Sequence, residues 1–155
     1  MPAPSIAAEQ FLFADRDRRR QILDRLGLSR YGDILLPMQA SDANITCVER
    51  FLTAPDRVKF PQLQGADLSN LALNNVNLIR ADLTGTNLRE SSLQTADLLF
   101  AIAIASDVRG ADLRGATLSR TIWTNALVEN CNFGAGKGLT NRQREELRGR
   151  GGRFD

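Results

Sequence analysis

The chain has 155 residues, 43% of them hydrophobic and 25% charged, enough to bury the core of one domain with helical attachments. Lys and Arg total 20 against 18 Asp and Glu, and a net charge of +2 makes no case for nucleic-acid binding. Histidine is absent, which removes the commonest general base, triad member and metal ligand, and Cys47 and Cys131 stand outside any metal-ligand or disulfide-framework spacing.

From the N-terminus, Met1 to Arg20 offers no apolar signal-peptide core, because Glu9, Asp15, Arg16, Asp17 and Arg18 interrupt it. No segment approaches the ~18–20 apolar residues that insertion into a bilayer needs. With two isolated thiols, the expectation is a cytoplasmic protein. A helix is predicted from Asp15 or Asp17 through Leu26, with Ile22, Leu23 and Leu26 as its apolar face and Gly27 as its stop. Tyr31 to Met38 shows no clear period and contains Pro37, so it reads as a loop. Ser41 is placed to cap a second helix carrying Ile45, Val48 and Phe51 or Leu52 on one face, with Pro55 beyond its end. Residues 1–57 are thus expected to form a helical cap.

From Pro61 to Ala135 the chain divides without a gap into fifteen five-residue units, beginning PQLQG, ADLSN, LALNN, VNLIR and ADLTG. The third position is apolar throughout, running from Leu63, Leu68, Leu73 and Leu78 to Trp123, Val128 and Phe133. The first position is mostly small, and the other three are mostly Asp, Asn, Ser, Thr, Gln, Arg and Gly. A period of five fits neither a helix nor a flat strand. A chain that turns a corner every five residues satisfies it, with one large and one small side chain pointing inward per side. Four sides make a coil of twenty residues, and fifteen units make 3.75 coils, or roughly 18 Å of solenoid at the ~4.8 Å spacing of paired strands.

These A(D/N)Lxx units resemble the pentapeptide-repeat family over about half the chain. The resemblance implies a mainly β fold, a right-handed quadrilateral β-helix of just under four coils over residues 58–135, of a type common in bacteria and especially cyanobacteria. The family includes DNA mimics that bind DNA gyrase, regulators of differentiation and many proteins of no known role, so the resemblance speaks to fold rather than function.

Folding the sequence at twenty residues aligns Leu63, Leu83, Ala103 and Trp123, placing the indole beyond the smallest residue of its column. Leu71 and Val76 break the small-residue rule and are expected to widen the first coil. Solenoid ends need caps. Thr140 and Gln143 form a capping box for a short helix through Arg148, ended by Gly149, Gly151 and Gly152, so residues 136–155 are expected to be a capping helix and tail.

The run Gly134, Ala135, Gly136, Lys137, Gly138 fails as a phosphate loop, because Cys131 and Gly138 occupy places that need Gly and Ser or Thr. It reads as a flexible exit from the solenoid. Second-position residues such as Asp67, Asp82, Asp97, Asp107 and Asp112 are spread around different sides and are read as turn-supporting, with no metal or cofactor implied. Arg89, Arg109 and Arg114 read as a salt-bridged face with Asp107 and Asp112 rather than an anion strip.

One feature rises above this background. Ile79, Leu99, Phe100, Ile102, Ile104 and Ile122 occupy positions that face solvent, and the twenty-residue register gathers them on two adjoining sides and their corner. Either the N-terminal residues Phe11, Leu12 and Phe13 fold down the solenoid and cover this patch, or it receives an unidentified protein partner or a second copy of the chain, which could also pair through a solenoid end. Three function classes follow: a non-catalytic protein-interaction scaffold, a gyrase-directed DNA mimic, and an enzyme. The second wants a strongly acidic rod, whereas residues 61–135 carry 5 basic and 7 acidic groups. The third lacks a histidine. The expectation is the first, with no nucleic acid and no membrane insertion.

Overall fold

The computed structural model describes residues 4–155, so the first three residues of the expected helical region lie outside the described residues. The helices are α1 (Pro4–Phe13), α2 (Arg16–Leu26), the short α3 (Gly32–Leu35), α4 (Asp42–Thr53) and α5 (Asn141–Gly149), with single 3-10 turns at Ser29–Tyr31 and Pro55–Arg57. Helix α2 starts where Asp15 accepts the Arg18 N–H at 2.8 Å and stops at Gly27, whose φ of 73° is left-handed. Helix α4 starts on Ser41, which accepts the Asn44 N–H at 3.1 Å.

Two segments depart from the sequence reading. Helix α1 packs on α4 and α2, with Ala8, Phe11 and Leu12 buried among them and Phe13 left exposed. The segment expected as a loop from Tyr31 to Met38 is helical as far as Leu35 and irregular from Leu36 to Met38, and Tyr31, Ile34, Leu35, Leu36 and Met38 are all buried. Apolar side chains at this density cannot remain in water, and the cap folds them inward despite the breaks at Gly32 and Pro37.

Arg19 ties these pieces together. It is only 8% exposed, and its guanidinium donates to the carbonyls of Ala14, Leu35, Leu36 and Met38 at 2.7–3.2 Å and to that of Leu12. Its charge therefore sits on the C-terminal carbonyls of α1 and α3, where the helix dipoles are negative, and 5.4 Å from the Phe11 ring centroid.

Beyond Pro61 each unit contributes a single isolated parallel bridge rather than an extended strand. The bridges form four ladders with a register of twenty: Gln62, Asp82, Ile102 and Ile122; Asp67, Asn87, Asp107 and Leu127; Ala72, Ser92, Asp112 and Asn132; Asn77, Asp97 and Thr117. These are called the first to fourth sides. From Ala66 on, at every corner except the one before Leu71, the first-position N–H donates to the third-position carbonyl of the preceding unit, as from Ala66 to Leu63 at 3.0 Å. The fifth residue is left-handed in the first fourteen units, with φ of 55–76°. Such a turn favours Gly and Asn, which hold eight of these fourteen places, including Gly65, Asn70 and Asn75.

The preference for Asp or Asn at the second position has a local cause. Its side-chain oxygen accepts the N–H two residues on, as in Asp67 to Ser69, Asn77 to Ile79, Asp82 to Thr84 and Asp97 to Leu99, all at 3.0–3.1 Å. The third-position residues and most first-position residues are buried and make the core columns. The register holds through Leu71 and Val76, since Ala72 pairs with Ser92 and Asn77 with Asp97; the expected disturbance is confined to the corner before Leu71, which lacks the hydrogen bond of the others. Leu71 packs half-buried against the core, and Val76 is buried.

Both ends are closed. Helix α4 lies along the edge of the first coil, where Asn44 bonds Asp67 and Arg50 bonds the Gln62 carbonyl at 3.4 Å. At the other end Trp123 meets Phe133 edge-on at 5.4 Å, and Phe154 from the tail stacks on Phe133 at 5.1 Å. The glycine-rich run is not a free exit: Lys137 accepts the Leu118 N–H at 2.8 Å and continues the fourth side. The tail then returns after α5 as a further rung, with Arg153 bridged to Asn132.

Candidate protein-docking face

The six apolar residues singled out in the sequence come together. Ile102 and Ile122 are bridged neighbours on the first side. Ile104 follows on the same side and accepts the Gly85 N–H at 2.9 Å through its carbonyl. Ile79 and Leu99 stand one coil apart on the fourth side, joined through the Arg80 N–H to the Leu99 carbonyl at 2.8 Å. Phe100 occupies the corner between the two sides, with φ of 61°. Phe100 is 41% exposed and Ile122 44%, while the others are half-buried.

Among the described residues the N-terminal segment Phe11 to Phe13 does not cover them. Phe11 and Leu12 are spent in the cap against α4, so that expectation is corrected: the apolar residues at the N-terminus close the helical core instead of the solenoid flank.

Three further residues belong to this face and were missed. Phe60 is 41% exposed and stands twenty residues before Arg80, which in turn stands twenty before Phe100. The Arg80 guanidinium lies over both rings, 5.6 Å from the Phe60 centroid and 4.5 Å from that of Phe100. Extending the register one residue ahead of Pro61 exposes this column. Leu127, 44% exposed, lies on the second side next along the chain from Ile122. A shallow groove of about 210 Å³ lined by Arg30, Tyr31, Lys59, Phe60, Pro61, Asn77 and Ile79 runs from the cap onto the fourth side.

The opposite sides have a different character. Arg109 grips Asp107 through two bonds of 2.9 and 2.7 Å, and Arg114 holds Asp112 likewise. The Arg114 hydrogen bond holds the Asp112 carboxyl down at about 2, and Arg109 lowers that of Asp107. Arg89 approaches Asp107 only to 3.9 Å. These cations are already neutralised. Burial raises the Cys47 thiol to about 11 and pushes that of Cys131 higher still, so each behaves as a small core side chain. Among the described residues no helix is long and apolar enough to cross a membrane.

A core built from one large and one small side chain per five residues, on ladders of register twenty, defines a repeat solenoid. Residues 62–99 match the family Pentapeptide repeats in eight copies. Among solved structures it is similar to a pentapeptide repeat protein from Nostoc PCC 7120, at 28% identity over 58% of this chain and 77% of that one, with a TM-score of 0.44. A pentapeptide repeat protein from the Arabidopsis thaliana thylakoid lumen shares 24% identity over 56% and 73% of the two chains, at a TM-score of 0.45. HetL, a pentapeptide repeat protein involved in heterocyst differentiation regulation from Nostoc, shares 26% identity over 54% of this chain and only 44% of its own length, at 0.25. No curated protein matches the chain by sequence.

Proposed function

We propose that this chain is a non-catalytic protein-interaction module, an adaptor, regulatory or assembly scaffold, built on a right-handed quadrilateral β-helix. The right hand is the one that crossover connections between parallel strands take almost without exception. In this reading residues 1–57 cap the solenoid, residues 58–135 are the rigid rod, and residues 136–155 close it, in a cytoplasmic setting.

The observation that carries the reading is the apolar strip on the fourth and first sides, which helix α1, packed on α4, leaves open. Ile, Leu and Phe at solvent-facing positions of an otherwise polar repeat leave apolar area in water, and a docked protein surface removes that cost. A solenoid that moves little presents such a strip without an ordering penalty. Asp107 and Asp112 on the second and third sides are paired with Arg109 and Arg114, which does not support a DNA mimic.

The test is affinity capture from source-cell lysate with the parent chain and its Ile102→Glu, Ile104→Glu variant. The reading expects a protein retained by the parent and lost by a variant whose circular dichroism is unchanged. Identical profiles for the two would remove this face as the docking surface.

A further inference from the structure

We infer that the docking face recognises an acidic, apolar-anchored segment of a partner protein, with Arg80 receiving a carboxylate; this rests on the docking reading above. The argument begins with Arg80. Its guanidinium is sandwiched along the corner column between Phe60 and Phe100, so its plane is held by two rings. Among the described residues its side chain has no hydrogen-bond acceptor and no carboxylate within ion-pair distance, although the residue is exposed. A fixed guanidinium with its N–H edge unused is the geometry that takes a carboxylate through two parallel bonds.

The surroundings carry the same sign. Arg120 follows Arg80 and Phe100 on the corner column, Lys59 lies at its cap end and Lys137 at the far end of the fourth side; all three are exposed and outside the ion pairs of the described residues. The two carboxylates of these sides are turned to the molecule itself. Asp82 accepts from the Thr84 N–H at 3.0 Å and from Gln64 Nε2 at 2.9 Å, and Asp97 accepts from the Leu99 N–H at 3.1 Å. The arginines of the second and third sides, by contrast, are spent on Asp107 and Asp112. Among the four sides of the solenoid, the cations outside close ion pairs therefore lie where the apolar residues are. A partner segment with large aliphatic or aromatic side chains on Ile79, Leu99, Ile102 and Ile104, and with Asp or Glu against Arg80 and Arg120, matches both properties.

The test is panning of a random peptide library on phage against the full chain. A fluorescent synthetic copy of the most enriched peptide is then titrated by anisotropy into the parent and variants checked for fold by circular dichroism. The expected peptides combine Asp or Glu with large apolar residues, and their affinity falls as salt is added. Arg80→Glu weakens binding tenfold or more, Arg80→Lys weakens it less but measurably, and Arg89→Glu on the second side leaves it unchanged. Apolar peptides without acidic enrichment, insensitive to Arg80→Glu yet lost in Ile102→Glu, Ile104→Glu, would overturn this inference while the docking face stands. Peptides indifferent to all of these variants, or no enrichment, would overturn both.

Discussion

Asn44, on the cap helix, pairs with the backbone of Asp67 as a strand residue would: its Nδ2 donates to the Asp67 carbonyl at 3.0 Å, and its Oδ1 accepts the Asp67 N–H at 2.8 Å. The side chain is fully buried, and the same Nδ2 also donates to the Gln39 carbonyl at 2.7 Å. Asp67 is the first rung of the second ladder, so one amide supplies the pairing that a preceding coil would have provided and closes an otherwise open edge.

Asn44→Ala should therefore cost on the order of 2 kcal/mol, because it strands both a buried donor and a buried acceptor. Asn44→Asp should cost more, since a carboxylate set against the Asp67 and Gln39 carbonyls cannot donate. Urea denaturation measures both, and faster amide exchange at Asp67 with no change at Leu118 would place the damage at the cap.

Arg19 predicts a second sensitivity. Arg19→Lys removes the planar fork that serves the carbonyls of Leu12, Ala14, Leu35, Leu36 and Met38, and a single ammonium cannot reach them together. A loss of about 2–4 kcal/mol is expected in denaturant titration despite the retained charge. A variant as stable as the parent would show that these bonds are replaceable.

Acid should act through Asp112. Its carboxyl is lowered to about 2, first by the Arg114 hydrogen bond. A depressed carboxyl stabilises the fold fully above its unfolded value, near ~3.9, and loses that contribution as pH falls toward the folded value. Asp112→Asn keeps one oxygen for the Arg114 backbone N–H and removes the charge together with the second oxygen, which accepts from Arg114 and Gln94. The thermal midpoints of parent and variant should differ at about pH 5 and converge toward about pH 2.

The two thiols should resist modification. Cys47 and Cys131 are buried, and desolvation raises both above the ordinary thiol range. A thiol reagent at neutral pH should label neither in the folded chain and both in denaturant. Labelling of Cys47 alone without denaturant would mean that the cap detaches from the first coil while the rod persists.

The repeat, its inward columns, the helix caps and the six apolar positions were legible in the sequence because each depends on local geometry. A corner every five residues places third and first positions inside wherever it recurs, and Ser41, Asp15 and Thr140 cap the residues beside them. The twenty-residue register carried this local rule into space, bringing Ile102 onto Ile122 and Asp107 beside Arg89. Tertiary structure alone decided where the N-terminus went. Phe11 and Leu12 had two apolar surfaces to choose from, and the outcome turned on α1 fitting α4 and on Arg19 gathering carbonyls that lie far apart in the chain. It also decided that Arg80 is clamped between Phe60 and Phe100, since the first of these stands before the repeat and joins its column only once the cap has delivered the chain to that corner. Periodicity reports which face a residue occupies; whether that face stays open depends on contacts between segments that share no period.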